Sequence, residues 1–225
     1  MNIGLIVAAG RGYRVGGPLP KQYLPLAGQP ILRHTIQALA RHPAIDAVQV
    51  LIHPDDQALY DDATAGLEKL LAVRFGGKER QDSVRLGLEA VGALMPETVL
   101  IHDAVRPFIG IETISTVLEV LQRGAAAIAG VPLADTLKRV DEGVVTGTVS
   151  RAGLWRAQTP QGFRYKDILH AHRHAVLTAP ETDFTDDAMI AEHAGLRVEM
   201  VQGSEDNFKI TTAADLARAE AILQG

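Results

Sequence analysis

Two cations, Arg14 and Lys21, follow closely on a glycine-bearing stretch, Gly10-Arg11-Gly12-Tyr13-Arg14, and the second sits in Pro20-Lys21-Gln22. Glycines let backbone N–H groups press against phosphate oxygens, and nearby fixed charge completes the counter-ion set. That combination suits a triphosphate, not an apolar ligand. Farther along, Gly76-Gly77-Lys78-Glu79-Arg80-Gln81-Asp82-Ser83 has two glycines that let the chain pass close to a flat ligand, and Ser83 can donate or accept. The same stretch also reads as an ordinary β–α turn with a helix cap. Asp103, in His102-Asp103-Ala104-Val105-Arg106-Pro107, is a candidate magnesium ligand. Magnesium takes one or two protein carboxylates and completes its octahedron with phosphate and water. The plainer alternative is a surface Asp103–Arg106 ion pair. Lys209 falls in a short strand-like segment, Asp206-Asn207-Phe208-Lys209-Ile210-Thr211, and a lone lysine is normally just solvated.

Other nucleotide loops fit less well. A dinucleotide fingerprint needs glycines that open directly into a helix, whereas Gly17-Pro18-Leu19-Pro20 prevents one here. No Gly-Lys-Ser/Thr follows the glycines, so the Walker pattern fails too. His170 and His174 have the i, i+4 spacing of a metal pair, yet no partnering Glu accompanies them, and His170, His172 and His174 read as a polar helix face. No nucleophile elbow is present, which fits direct displacement by a substrate that brings its own nucleophile.

These residues need a frame that brings them together. Short apolar runs at 3–8, 47–52, 71–75, 98–102 and 125–131 read as buried parallel strands. Helical patterns lie at 31–41, in part of 55–71, and at 80–94 and 111–123; in the last, Ile111, Ile114, Val117, Leu118 and Leu121 share one face. The alternation predicts an α/β fold, a doubly wound and mostly parallel sheet, whose ligands bind beyond the carboxyl ends of the strands. Gly10, Gly76-Gly77 and Asp103 all fall near such ends and are expected to share one crevice.

The pattern breaks at Asp135. Residues 137–149 read as a hairpin turning at Asp141-Glu142-Gly143, with Trp155 packing at its base. A protruding hairpin needs cover, so 136–155 is expected to be a dimerisation arm within a single domain spanning 1–225. Thr212-Ala-Ala-Asp215 starts a last helix bearing Leu216, Ile222 and Leu223.

With 47% hydrophobic and 22% charged residues among 225, the composition is that of a soluble globular protein. A net charge of -5 argues against general nucleic-acid binding, and 0 cysteines exclude disulfides and thiolate metal sites. No apolar run is long enough for a bilayer, and the opening run lacks the basic flank of a signal peptide, so a cytoplasmic location is expected.

The set Ala8-Ala9-Gly10-x-Gly12-x-Arg14, Pro20-Lys21-Gln22, Gly76-Gly77-x-x-Arg80-x-x-Ser83, His102-Asp103-x-x-Arg106-Pro107, Asp135-Thr136, Thr159-Pro160-Gln161 and Asn207-x-Lys209-Ile210-Thr211 resembles the 2-C-methyl-D-erythritol 4-phosphate cytidylyltransferase family from end to end. The resemblance implies a homodimer that joins CTP to methylerythritol phosphate in the non-mevalonate isoprenoid pathway and releases pyrophosphate. It implies that Arg14, Lys21 and Lys209 stabilise charge at the reacting phosphates. Ala8, Ala9, Gly10, Gly12, Gly77, Arg80 and Ser83 would bind the nucleotide, and Asp103 would hold magnesium. Asp103, Arg106, Thr136, Arg151 and Thr185 match acceptor-binding positions, the arm residues being supplied by the other subunit. Val105 and Lys78 depart from the usual pattern. Rival readings are a cytidylyltransferase for another polyol phosphate such as ribitol 5-phosphate, a non-catalytic CTP-binding regulator and, more distantly, a dinucleotide oxidoreductase.

Overall fold

The computed structural model describes residues 1–11 and 19–224. In chain order they form β1 (Asn2–Ala8), β2 (Pro25–Leu26), β3 (Gln29–Pro30), α1 (Ile31–Ala40), β4 (Ala47–Ile52), α2 (Gln57–Thr64), β5 (Arg74–Phe75), α3 (Arg80–Ala90) and β6 (Thr98–Asp103). Then come α4 (Ile111–Gln122), β7 (Ala126–Pro132), β8 (Leu137–Asp141), β9 (Val144–Val149), β10 (Trp155–Arg164), α5 (Tyr165–Thr178), α6 (Asp187–His193), β11 (Val198–Gln202) and α7 (Ala213–Gln224). The main sheet runs β11-β7-β10-β6-β1-β4-β5, parallel except for β10.

Strands β4 and β6 are buried at every position because helices cover both faces, which is why they read as unbroken apolar runs. Successive β1 side chains go to opposite sides. Ile6 joins Leu32 and Ile36 of α1, Tyr60 of α2 and Val117 of α4, whereas Leu5 meets Val84 of α3, Ile168 of α5 and Ile190 of α6. Register then does the functional work. Val7 lies opposite Asp103, Ala8 lies opposite Ile52, and the Gly76 N–H donates to the Ile52 carbonyl at 2.9 Å. The three strand-end segments are therefore brought to one rim of the sheet.

Several expectations are corrected. The strand expected over 71–75 shrinks to Arg74–Phe75, and α3 stops at Ala90 before a separate 3-10 turn at Gly92–Leu94. Ile111 is exposed at the start of α4, while Ile114, Val117, Leu118 and Leu121 face inward as expected. Thr212 and Asp215 do cap α7: the Asp215 N–H donates to Thr212 Oγ1 at 3.1 Å, and Asp215 Oδ2 accepts from the Thr212 N–H at 2.8 Å. Ile222 and Leu223 of that helix are nonetheless exposed. Lys209 lies in irregular chain, not a strand.

The antiparallel strand β10 was not anticipated, and its sequence explains why. Gln158, Thr159, Pro160 and Gln161 look like a loop, since proline and polar side chains argue against a central strand. Proline is accommodated where the register with β7 shifts between Ala157 and Gln161. The polar side chains are buried with partners: Gln158 Nε2 donates to the Ser204 carbonyl and Gln161 Nε2 to Asp186 Oδ2, both at 2.8 Å.

Strands β8 and β9 pair only with each other, as a hairpin. Its turn residues Glu142 and Gly143 take φ of 46° and 83°, both in the left-handed region that a tight two-residue hairpin turn requires. Val140, Val144 and Val145 are exposed along it. Trp155, expected to pack at the base of this hairpin, instead opens β10 opposite Pro132 and remains 38% exposed.

Candidate active site

A cleft of about 320 Å³ opens at the rim, bounded by Ala8, Ala9, Gly10, Lys21, Gly77, Arg80, Ser83, Asp103 and Lys209. The crevice expected from the strand ends therefore exists, and Lys21, Lys209 and Asp103 lie in its lining. Gln22, which motif reading left without a role, ties two of its walls together. Its buried Nε2 donates to the carbonyls of Ala8 at 2.7 Å and Gly10 at 3.1 Å. Those bonds anchor the glycine stretch to the segment that carries Lys21.

On the opposite wall, Ser83 lies in the first turn of α3, whose N-cap is Glu79, and lines the cleft. Its Oγ accepts from the Gly77 N–H at 3.0 Å and donates to the Glu79 carbonyl at 3.1 Å. Gly76 is packed so closely that a Cβ there would collide with Ala9 Cβ and Ser83 Oγ. Gly76→Ala is therefore expected to force the two walls apart, costing about 1–3 kcal/mol in chemical denaturation. The same variant should bind nucleotide more weakly in a titration.

Asp103 ends β6 and is the electrostatic centre of the cleft. Its Oδ2 lies 3.1 Å from Lys209 Nζ and 3.2 Å from Arg106 Nε, and its Oδ1 lies 3.8 Å from Arg80 Nε. Burial works to raise its carboxyl, but Lys209, Arg80 and Arg106 override that and hold it well below the usual carboxylate range. The carboxylate is thus ionised at every working pH. Its backbone is fixed as well: the Asp103 N–H donates to Thr159 Oγ1 at 3.0 Å, and that hydroxyl meets His102 Nδ1 at 2.9 Å. With His102 Nε2 donating to the Arg106 carbonyl at 3.0 Å, the ring is satisfied as a neutral imidazole.

Burial pushes His102 down to about 4 from the ordinary 6.5. The unfolded chain therefore binds a proton between these values that the folded chain refuses, so stability rises with pH across that window. The contribution is complete above about pH 6.5 and is lost as pH falls toward 4, amounting to roughly 3 kcal/mol at most. Melting temperature should drop over this range, and His102→Gln should flatten the slope.

Other expected site residues fall outside the cleft or outside the description. Arg14 and Gly12 lie outside the described residues. Arg106 is buried, but its guanidinium is spent on Asp103 and on the Asn207 carbonyl at 2.7 Å. The surface-pair alternative thus fails on burial, although the pair itself forms. Thr136 and Arg151 are exposed beside the hairpin and are not among the residues bounding the cleft. Thr185 is exposed in an adjoining depression that shares Glu79 and Arg80 with the cleft. The three helix histidines do not form one polar face: His170 and His174 are exposed, whereas His172 is fully buried 3.2 Å from Asp187. No group of three or more His, Asp or Glu suited to a metal ion occurs among the described residues. Asp103 alone still fits a cation whose remaining ligands come from phosphate and water.

A glycine stretch, basic side chains and an ionised carboxylate at the carboxyl end of a mostly parallel sheet are what a nucleotidyltransferase-type α/β site needs. Residues 3–225 match the family model described as IspD: 2-C-methyl-D-erythritol 4-phosphate cytidylyltransferase. The chain belongs to that family. It is 58% identical to a bifunctional enzyme IspD/IspF of Paramagnetospirillum magneticum, over 98% of this chain and 56% of that protein. A bifunctional enzyme IspD/IspF of Rhodospirillum rubrum is 54% identical over the same shares. The chain thus spans about half the length of the curated relatives it matches. Among solved structures, the 4-diphosphocytidyl-2C-methyl-D-erythritol synthase of Anaerococcus prevotii superposes with a TM-score of 0.86 at 30% identity, covering 100% of this chain and 96% of that one. The 2-C-methyl-D-erythritol 4-phosphate cytidylyltransferase of Thermus thermophilus gives 0.82 at 30% identity, with 98% of each chain covered.

Proposed function

We propose that this chain transfers the cytidylyl group of CTP to 2-C-methyl-D-erythritol 4-phosphate in isoprenoid synthesis. A phosphate oxygen of the acceptor attacks the α-phosphorus in line, the bond to the bridging oxygen of the β-phosphate breaks, and pyrophosphate leaves. The carrying observation is one cleft lined by Lys21, Arg80, Lys209 and Asp103, in which Arg80 and Lys209 pair with the carboxylate. Two anionic phosphates must approach each other there, and fixed positive charge offsets their repulsion where negative charge accumulates. Arg14 is assigned to the same task from its sequence position. Backbone at Ala8, Ala9, Gly10 and Gly12 would cradle the triphosphate, while Gly77, Arg80 and Ser83 face the nucleoside end. Magnesium, held by Asp103, would supply further charge neutralisation on the phosphates.

Magnesium-dependent release of pyrophosphate from CTP, measured with and without methylerythritol phosphate, tests the reading. Release requiring ribitol 5-phosphate instead would move the acceptor assignment, and no release with either would leave only CTP binding.

The acceptor end is completed by a second copy. Thr136 and Arg151 lie outside the chain's own cleft, and the exposed valines of the β8–β9 hairpin need cover, so an exchanged arm would deliver them to the partner beside Arg106 and Thr185. This arrangement predicts complementation. Lys21→Ala and Arg151→Ala chains are each inactive alone. Mixed and allowed to exchange subunits, they should recover about a quarter of native activity, because half the dimers are mixed and each of those has one intact site. A mixture as inactive as its components would rule out arm exchange.

A further inference from the structure

Arg80 is poorly placed to keep a fixed position on its own. It opens α3, at the helix end whose partial charge is positive, and it shares the cleft with Lys21 and Lys209. Of the two carboxylates that form ion pairs with it, Asp103 is already claimed by Lys209 at 3.1 Å and Arg106 at 3.2 Å. Arg80 Nε stands farther from Asp103 than either, at 3.8 Å. The group that holds Arg80 lies on the other side: its guanidinium meets Asp187 Oδ2 at 2.7 Å. Asp187 is fully buried and Arg80 retains 29% side-chain exposure, so the ion pair ties an arginine that lines the cleft to a carboxylate in the interior. His172, on α5, fixes the carboxylate from behind. It is also fully buried, with Nε2 3.2 Å from Asp187 Oδ1, while its Nδ1 has no hydrogen-bond partner. The tautomer that satisfies this contact carries its proton on Nε2.

Among the described residues, neither His172 nor Asp187 lines the cleft, and Arg80 connects them to it. An ionised carboxylate removed from water is costly unless a cation offsets it, so its survival here calls for a reason. Burial opposes the Asp187 charge, but Arg80 and His172 keep the carboxyl below the usual range.

We propose that Asp187, oriented by His172, is a positioning residue that holds the Arg80 guanidinium in the cleft wall, ready to contact a nucleoside triphosphate, and keeps it from collapsing onto Asp103. The role rests on the nucleotide assignment made under Proposed function. A merely structural Asp187 would affect folding without acting through Arg80.

The test is calorimetric titration of CTP into the native protein, Asp187→Asn, Arg80→Ala and the double variant. Each single change is expected to weaken binding about tenfold, and the double variant should bind no more weakly than Arg80→Ala alone, because Asp187 acts only through Arg80. In turnover the loss should appear in KM for CTP more than in kcat. Should Asp187→Asn fail to fold, the His172 pair decides: His172→Leu should weaken CTP binding by about threefold, and His172→Gln, which keeps a donor, should stay near native. Native affinity in Asp187→Asn or in His172→Leu would overturn the role, as would losses that add in the double variant. A native protein that bound no CTP would instead overturn the nucleotide assignment on which the role rests.

Discussion

Lys21→Ala is expected to lower kcat by at least about a hundredfold while CTP affinity falls less. Lys21 follows Pro20 at the start of a 3-10 turn, next to Gln22, whose side chain is bonded to the Ala8 and Gly10 carbonyls. The ammonium is therefore delivered to the cleft by a fixed piece of backbone, not by a freely moving loop. Preorganised charge of this kind acts most strongly where negative charge builds up during reaction, and removing one such group costs about 3 kcal/mol of transition-state stabilisation. In the ground state, the triphosphate would still meet Arg80, Lys209 and the glycine backbone, which buffers binding against the loss. Single-turnover measurement at saturating CTP isolates the chemical step. Near-native turnover there would remove Lys21 from the mechanism.

Asp103→Asn should be at least as damaging, and for two separable reasons. The first is chemical: the carboxylate on which Lys209, Arg106 and Arg80 converge is lost, and with it the proposed magnesium ligand. Activity is expected to fall by more than about a hundredfold and not to recover when magnesium is raised. The second is electrostatic. Lys209, Arg106 and Arg80 converge on this carboxylate, and without it they repel one another in a partly dry site. Breaking a buried charge cluster by removing one partner costs about 3–5 kcal/mol. Chemical denaturation would read that loss directly, and added phosphate, a substitute anion, should restore part of it. Unchanged stability would mean that the three cations find other partners; unchanged activity would place the metal elsewhere.

Much of this site is local in origin and so was legible from residue order. Gly10, Gly76-Gly77 and Asp103 were expected at strand ends because unbroken apolar runs precede the glycines and the aspartate, and Gly10, Gly77 and Asp103 do bound one cleft. Helix α1 and the hairpin turn at Glu142-Gly143 were equally readable, since their signals lie within a few residues. Strand β10 was not. Its Gln158, Thr159 and Gln161 are buried polar groups whose partners, Ser204, His102 and Asp186, are far away in sequence. Only those partners make a strand of such residues affordable in a core. His172 shows the same limit: next to His170 and His174 it looks like surface, and only the packing of α5 on α6 turns it inward to Asp187.

Residue order was thus sufficient for the chemistry on offer: a glycine-lined anion cradle, cations of fixed charge and a single carboxylate, on a mostly parallel sheet. Folding decided how those groups share their charge. Lys209 is an unremarkable lysine along the chain, and Arg106 a plausible ligand-binding arginine. In space the first reaches Asp103 at the mouth of the cleft, and the second is consumed by Asp103 and Asn207 beneath it. The difference is physical: a side chain's type sets its charge and reach, but electrostatic energy depends on distance and burial, and both are set by segments that meet only when the sheet closes.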